Sequence, residues 1–169
     1  MSLVDKIVSG GQTGPDRAAL DFGLDRGIAH GGWCPHGRPA EDGIIDARYQ
    51  LVETPSADPA QRTEWNVRDS DGTVIFSIAR GLTGGSQLTA EFARAHRKPC
   101  LHLSRRREGN KSASRLREFL AEHPIRILNV AGPRRSEEPE AGEFTRQILD
   151  EALGGARDDR RGTGAVQAT

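Results

Sequence analysis

Two glycine-rich turns carry the residue pattern most typical of a binding site in this sequence. The first runs from Ser9 to Gly14 and the second from Thr83 to Thr89, and each follows a short apolar run and precedes a run with helical spacing. Glycine lacks a Cβ, so the backbone can approach an anion, and the N–H groups and positive dipole end of the following helix attract it. Because such turns meet at the carboxyl edge of a parallel sheet, they predict one shared pocket for a phosphorylated small molecule.

The candidate ligand contacts in these turns are small or polar residues. They are Gly10, Gly11, Gln12, Thr13, Gly14, Gly84, Gly85, Ser86 and Thr89. Thr89 is interpreted as a phosphate donor, with a helix N-terminal cap as the alternative. Asp16 lies where a carboxylate complements the helix dipole. It would also face the anion site, where it would accept a hydrogen bond from a ligand hydroxyl or bind a metal that bridges to phosphate.

The segment from residue 34 to 43 holds more reactive groups than an ordinary connection requires. It contains a thiol, an imidazole, a guanidinium and two carboxylates within a run of turn residues. Arg38 is predicted to bind a phosphate as a bidentate donor, and the alternative is a surface ion pair with Glu41 or Asp42. His36 is left open between a contact with a heterocycle or ribose and a surface position.

A polar helix is predicted from about Pro59 to Asp69. Arg62, Asn66 and Asp69 fall at positions i, i+4 and i+7, so they share a face that a hydrophobic core would not accept. The open alternatives are a solvated face and a ligand-binding face. Trp65 is costly to expose and indicates that the helix packs closely on something.

No catalytic constellation with a required spacing is present. A third turn after an apolar run adds Asn129, Gly132 and Arg134 as secondary ligand candidates. There is no Ser, His and Asp order of a hydrolase triad and no His and Cys cluster with metal-ligand spacing, so no metal site is predicted. Glu91 and Glu41 remain weak candidates for an acid or base.

Composition and charge exclude several function classes. The 169 residues include 24 Lys plus Arg and 24 Asp plus Glu, so no global field favours nucleic acid or an anionic membrane. The basic run at 105–107 lacks interleaved aromatic residues for base stacking. No apolar run of spanning length and no signal peptide is found, which predicts a cytoplasmic protein whose Cys34 and Cys100 are reduced.

Alternating apolar runs and helical patterns predict a doubly wound α/β fold, with a mostly parallel sheet and helices on both faces. The predicted strands are Lys6–Ser9, 27–33 with a glycine bulge, Tyr49–Thr54, Thr73–Ala79, Lys98–Leu103 and Ile125–Val130. The predicted helices are Pro15–Arg26, Pro59–Asp69, Gln87–Arg97, 112–123 and Gly142–Leu153. One Rossmann-like domain over residues 1–153 is expected, followed by a disordered tail at 154–169.

Three blocks of sequence carry a family resemblance. Residues 10–21, 31–43 and 62–73 resemble, in the same order, the signature blocks of the molybdenum cofactor carrier proteins. This family belongs to a Rossmann-like superfamily that also includes the lysine-decarboxylase-like phosphoribohydrolases. The resemblance extends over most of residues 5–153. It implies that a homo-oligomer binds and protects the molybdenum cofactor, a phosphorylated pterin that holds molybdenum through a dithiolene, for molybdoenzyme recipients.

Three functional hypotheses follow. In the favoured one, a non-enzymatic carrier, the glycine turns and Arg38 hold the phosphate, while Trp33 and the face from Arg62 to Asp69 contact the pterin or the oxyanion end. The second is a nucleoside monophosphate hydrolase that uses Glu91 or Glu41. The hydrolases carry Pro-Gly-Gly-x-Gly-Thr-x-x-Glu, whereas the segment 83–91 lacks the proline and the third glycine. The third is a nucleotide-binding module that senses ADP-ribose or a related ligand without turnover.

Overall fold

A five-stranded parallel sheet forms the centre of the computed structural model, which describes residues 3–156. In chain order the strands and helices are β1 (Lys6–Val8), α1 (Pro15–Arg26), β2 (Ala29–Gly31), β3 (Trp33–Cys34), β4 (Pro39–Ala40), β5 (Gly43–Ile44), β6 (Val52–Glu53), α2 (Pro59–Arg68), β7 (Gly72–Ser77), α3 (Gly84–Ala95), β8 (Cys100–Ser104), α4 (Arg105–Glu108), α5 (Ser112–Glu122), β9 (Ile127–Ala131) and α6 (Ala141–Leu153). Short 3₁₀ turns follow α4 and α6. The predicted doubly wound α/β fold is confirmed.

The central sheet has the strand order β2-β1-β9-β7-β8, and every neighbouring pair is parallel. The last strand of the chain, β9, therefore lies between β1 and β7. If β9 and α6 preceded β1 in the chain, the same five strands would be numbered 3-2-1-4-5, which is the order of a doubly wound half-sheet. The strand order reverses between β9 and β7, and ligands of open α/β sheets bind in the crevice at such a point.

The two faces of the sheet differ in polarity. The main apolar core joins one face to α1, α5 and α6; it includes Ile7, Val74, Phe76, Leu103, Leu128, Val130, Phe22, Leu116 and Phe144. All six residues of β7 are buried, as the continuous apolar run predicts for a central strand. Helices α2 and α3 pack against each other and contribute no side chain to this core. The residues that α2 and α3 bury are Asn66, Ser86 and Thr89, together with Val67 and Ala93.

Residues 33–53 form a small layer beside α1. Strand β3 pairs with β6, and β4 pairs with β5 in a hairpin. A second apolar cluster of Leu20, Cys34, Ile45 and Tyr49 lies beneath this layer. Because the layer packs on the start of α1, it fixes the position of the first glycine turn.

Some element boundaries differ from the prediction. The predicted strand at 27–33 divides at Gly32, whose φ is +124° and whose Cβ position lies 2.3 Å from the carbonyl oxygen of Ser9. The predicted strand Tyr49–Thr54 is reduced to β6, outside the central sheet, because Tyr49 is buried in the second apolar cluster. Of the predicted tail, residues 154–156 form a 3₁₀ turn, and 157–169 lie outside the described residues.

Within residues 3–156, no helix has the length and apolar character required to cross a membrane.

Candidate functional site

A cavity of about 360 Å³ opens at the carboxyl edge of the sheet, between the ends of β1, β7 and β9 and under α2. Its size lies in the range of small-molecule sites. The predicted contacts that line it are Gly10, Gln12, Asp16, Arg62, Asn66, Gly84, Gly85, Ser86 and Thr89, with the secondary candidates Asn129, Gly132 and Arg134. The sequence reasoning missed Pro59, Thr63 and Glu137, which also line the cavity and are neighbours in sequence of Arg62 and Arg134.

The first turn of α3 presents an open surface to the cavity. The Cβ positions of Gly84 and Gly85 have no atom within 4 Å, and the φ of Gly84 is +54°. Thr83, at the N-cap position, forms no side-chain capping bond. The Oγ of Thr89 donates to the carbonyl oxygen of Gly85 at 2.9 Å, so its proton is already used. The hydroxyl of Ser86, in contrast, is buried and has no hydrogen-bond partner among the described residues.

Two buried polar side-chain atoms at this cavity have no hydrogen-bond partner among residues 3–156. They are Ser86 Oγ and Asn129 Oδ1, on residues that are 6% and 2% exposed. The side-chain amide of Asn129 donates through Nδ2 to Thr73 Oγ1 at 3.1 Å. An unpaired buried polar group costs about 1–3 kcal/mol, so such groups are rare and require an explanation. Their shared location indicates that a polar ligand or solvent satisfies them.

The first glycine turn is occupied by groups of the chain itself. Asp16 lines the cavity and is only 7% exposed; burial raises its pKa to about 6, although Arg62 and the backbone N–H groups of Gln12 and Gly10 favour the carboxylate. Arg62 Nη1 donates to the carbonyl oxygen of Gly10 at 2.8 Å. The two turns therefore differ, because a phosphate in the first turn would meet the charge of Asp16, whereas the second turn presents open positions to the cavity.

Gly10 and Arg62 depend on each other. A Cβ at position 10 would lie 2.5 to 2.9 Å from atoms of the Arg62 side chain, so only glycine allows this approach. Arg62 Nε also lies 3.3 Å from Thr63 Oγ1. The guanidinium of Arg62 is thus held at the cavity wall.

Other residues of the first turn bind neighbouring segments instead of the cavity. Thr13 Oγ1 donates to Glu41 at 2.5 Å and accepts from the backbone N–H of Arg135 at 3.0 Å. A Cβ at Gly14 would lie 2.6 Å from the carbonyl oxygen of Pro133, and one at Gly11 would lie 2.6 Å from Leu51. Close packing against Leu51 and Pro133 therefore explains the glycines at positions 11 and 14.

Glu41 closes a connection between two loops. Its carboxylate accepts from the backbone N–H of Ser136 at 3.0 Å and from the Ser136 hydroxyl at 2.6 Å, in addition to Thr13. These hydrogen bonds lower the pKa of Glu41. Glu41 does not line the cavity, and neither does Glu91, which is exposed and lies 3.4 Å from Gln87. The geometry supports neither residue as an acid or base for a ligand in the cavity.

The guanidinium of Arg38 holds the backbone of its own layer. Its three nitrogens donate to the carbonyl oxygens of Ile45, Asp46, Tyr49 and Leu51 at 2.9 to 3.2 Å. Arg38 has a φ of +61°, which turns the chain back over this segment. The prediction that Arg38 binds phosphate is not supported, because its donors are used internally and it does not line the cavity.

Trp33 and Asn66 join β3 to α2. The side-chain amide of Asn66 accepts from the backbone N–H of Trp33 and donates to its carbonyl oxygen, at 2.8 and 2.9 Å. The indole Nε1 of Trp33 donates to Asp69 at 2.9 Å, and the ring packs edge-on against Trp65. Asn66 lines the cavity, but its amide is already paired, and Trp33 does not line it. Both residues position α2.

No metal-binding cluster is found among the described residues. No group of three or more His, Cys, Asp or Glu side chains could hold a metal ion there. Cys34 is buried in the second apolar cluster, and burial raises the pKa of its thiol. His36 is exposed, with Nδ1 3.8 Å from Glu53. The described cavity wall thus offers oxygen and nitrogen groups and no thiolate.

The family follows from comparison with known proteins. Residues 7–153 match the circularly permutated YpsA SLOG family. The chain belongs to that family. A similar solved structure is the "Putative molybdenum carrier protein" from Syntrophus aciditrophicus SB, with 46% sequence identity, a TM-score of 0.88, and coverage of 90% of this chain and 96% of the other. No curated protein matches the chain.

Two earlier observations agree with this assignment. The resemblance of the three sequence blocks to molybdenum cofactor carrier proteins is confirmed at the level of the family. The strand order fits the description of a permuted family, because β9 occupies the sheet position that the first strand of an unpermuted doubly wound chain would take. In this family member the cavity lies at the point of the sheet where the strand order reverses.

Proposed function

We propose that this YpsA SLOG family member is a carrier that binds the molybdenum cofactor through its phosphate at the first turn of α3. One observation carries the proposal: the buried Ser86 Oγ has no partner among the described residues and lies in an uncapped helix turn below the open positions Gly84 and Gly85. Free N–H groups, a helix dipole and a free hydroxyl together form an anion site. The name of the similar Syntrophus protein supports a molybdenum cargo.

The remaining cavity wall fits the organic part of such a cargo. Pro59 and Pro133 provide apolar surface, and Arg62 and Arg134 provide positive charge. A ring system buried against such surfaces and several charge-assisted hydrogen bonds could together supply the roughly 8 kcal/mol of a micromolar complex. No thiolate of the described cavity would compete with the dithiolene for molybdenum. The carrier would therefore hold its cargo through phosphate and pterin.

The positions of the two predicted acids do not fit the hydrolase of the second hypothesis. The candidate acids Glu91 and Glu41 are both outside the cavity. In this proposal the protein is a cytoplasmic homo-oligomer that delivers its cargo to molybdoenzymes. Nucleotide binding is the second candidate, because the uncapped turn of α3 suits any phosphate monoester.

A retention experiment tests the proposal. The purified chain is incubated with molybdenum cofactor, free ligand is removed by gel filtration, and molybdenum and pterin are measured per chain. AMP serves as a competitor in parallel. We expect nearly stoichiometric retention that excess AMP does not displace. No retention, or complete displacement by AMP, would contradict the carrier function and favour nucleotide binding.

The placement of the phosphate is tested with variants of the α3 turn. Gly85→Asp fills the open position and adds a negative charge, so we expect retention to be lost. Ser86→Ala removes the free hydroxyl and should weaken binding by about tenfold, as for one hydrogen bond to a charged group. Gly155→Asp is the matched control, because its Cβ position is also open and lies outside the cavity. Unchanged retention in Gly85→Asp would rule out this placement.

A further inference from the structure

A phosphate at α3 leaves one buried charge of the cavity unexplained. Two carboxyl groups line the cavity: Glu137 is exposed and pairs with Arg134 at 2.9 Å, whereas Asp16 is buried. No residue between 3 and 156 forms an ion pair with Asp16 within 4.0 Å; Arg62 and Arg17 influence it only from a greater distance. Because a carboxylate repels a phosphate, the ligand must place a different part of itself at Asp16.

Asp16 has free hydrogen-bond acceptor capacity at the cavity wall. An ionised carboxylate offers about four acceptor sites. The backbone N–H groups of Gln12 and Gly10 use part of this capacity. Asn129 adds a further acceptor, Oδ1, because its Nδ2 is donated to Thr73. The cavity wall therefore holds unpaired acceptors that N–H donors of a ligand would satisfy, whereas the first turn of α3 suits an anion.

We infer that Asp16 binds the 2-amino-4-oxopyrimidine edge of the ligand, the two-donor edge that pterin and guanine share, while the phosphate lies at α3. The inference rests on the proposed function and specifies its ligand class. The ring N–H and the exocyclic NH₂ of this edge form a parallel fork that fits the two oxygens of one carboxylate. Adenine presents one donor and one acceptor, so its ring nitrogen would face a carboxylate oxygen without a proton between them.

The difference between these edges predicts a measurable selectivity. A good bidentate contact discriminates between bases by about 10- to 100-fold. We therefore expect the wild-type chain to bind GMP more tightly than IMP, which lacks the 2-amino group, and IMP more tightly than AMP. These three affinities are measured on the wild-type chain alone. Equal affinities for the three nucleotides in isothermal titration calorimetry would overturn the inference.

Exchange of the carboxylate for an amide gives the second test. In Asp16→Asn one acceptor is replaced by a donor, which matches the donor and acceptor of adenine. We expect the preference for GMP over AMP to disappear or reverse. Glu118→Gln is the control, because it removes one exposed carboxylate that has no hydrogen-bond or ion-pair partner in the described part of the chain. An unchanged ratio of the two affinities in Asp16→Asn would contradict the assignment.

The two proposals fail in different ways. If Gly85→Asp abolishes binding of both nucleotides while GMP and AMP bind equally to the wild type, the phosphate site stands and the role of Asp16 is wrong. If Gly85→Asp changes nothing, the phosphate site itself is wrong. Competition between GMP and molybdenum cofactor shows whether the 2-amino-4-oxopyrimidine edge of the natural ligand belongs to a pterin or to a guanine. Retention of the cofactor against excess GMP identifies a pterin, and displacement identifies a guanine nucleotide.

Discussion

Asp16 is a buried carboxyl group that lowers the stability of the ligand-free protein. Its folded pKa is about 6, against a reference value of 3.8, so the native state binds more protons than the unfolded state between these values. The free energy of unfolding should therefore fall as pH rises from about 4 to 6. Asp16→Asn removes this penalty and is expected to raise the free energy of unfolding by about 3 kcal/mol at pH 7.5, with little effect near pH 4.

Urea unfolding at both pH values measures this effect. Glu118→Gln is again the control, since Glu118 is exposed and has no hydrogen-bond or ion-pair partner in the structure as described. A loss of stability in Asp16→Asn at pH 7.5 would show that the carboxylate has a structural role. A gain in stability combined with changed nucleotide selectivity is the pattern expected of a residue that serves binding at the expense of folding.

The individual residues show what the sequence could and could not predict. The sequence predicted that Gly85 and Ser86 face the cavity, because a turn between an apolar run and a helix lies at the carboxyl edge of a parallel sheet. The acceptors of Arg38 could not be predicted, because residue type identifies a donor but not its acceptors. In the structure its guanidinium donates to four carbonyl oxygens of residues 45–51. For Asp16 the sequence left capping and binding open; its burial, which the structure adds, favours binding.

At the scale of elements, the hairpin of β4 and β5 is attached to the neighbouring loops through Glu41, which joins the two segments beside the cavity. Glu41 follows β4 and reaches Thr13 in the first glycine turn and Ser136 in the segment after β9. Arg17 adds an ion pair with Asp42 at 2.9 Å. The neighbouring residues Pro133 and Arg134 line the cavity, so the Glu41 contacts fix that part of its wall.

Glu41→Gln should loosen this attachment. An amide accepts fewer hydrogen bonds than a carboxylate and places a donor near Ser136 or Thr13, so we expect faster amide hydrogen exchange in residues 12–14 and 134–138. Lowering the pH should reduce the protection factors of the same segments in the wild type, that is, raise their exchange rates relative to the intrinsic rates at that pH. The pKa of Glu41 is lowered in the folded state, so its contribution to stability is present above the reference value of 4.5 and is lost as the pH falls through the folded pKa.

Hydrogen exchange followed by mass spectrometry resolves these segments. Glu122→Gln is the matched control, because Glu122 is exposed at the end of α5 and shows no hydrogen bond or ion pair to any described residue. Exchange rates that remain unchanged in both segments of Glu41→Gln would show that backbone contacts alone hold the hairpin in place.

The sequence predicted the types of the elements better than their partners. The helices α1, α2, α5 and α6 lie within one or two residues of the predicted bounds, because their apolar spacing is local information. The segment around Tyr49 and Leu51 is β-like in pattern, yet these residues pack in the second apolar cluster, which no local pattern specifies. The helix α3 begins at Gly84 rather than Gln87, so the glycines belong to its first turn.

At the scale of the whole molecule, the order of the strands was the least predictable property. Alternating strands and helices indicate a parallel sheet, but they do not determine which strands are neighbours. Strand β9 is inserted between β1 and β7, so its position depends on pairing with residues that are more than 50 positions away in the chain. The sequence therefore predicted a cavity from two turns and did not predict that the third turn, after β9, lies between them.

The ends of the described chain meet at one edge of the sheet. Arg26, at the end of α1, donates to Asp150 at 3.0 Å and to the carbonyl oxygen of Gly154 at 3.5 Å. Strand β2 starts at Ala29, just after α1, and Ala29 pairs with Lys6 at the start of β1. The end of α6 and the start of β1 are therefore at the same, amino edge. Joined together, β9, α6 and β1 would form an ordinary βαβ unit.

This arrangement predicts that a repermuted chain folds. The chain would begin at Pro124, run to residue 156, continue through a flexible linker of about six residues, and end with residues 3–123. All contacts of the sheet are kept, and only the exposed connection between α5 and β9 is opened, so we expect the same circular dichroism spectrum and cooperative unfolding. The cavity residues keep their positions, so binding of GMP should also be kept. The unpermuted chain of residues 3–156 is the control; non-cooperative unfolding of the repermuted chain alone would show that the connection after α5 is required for the fold.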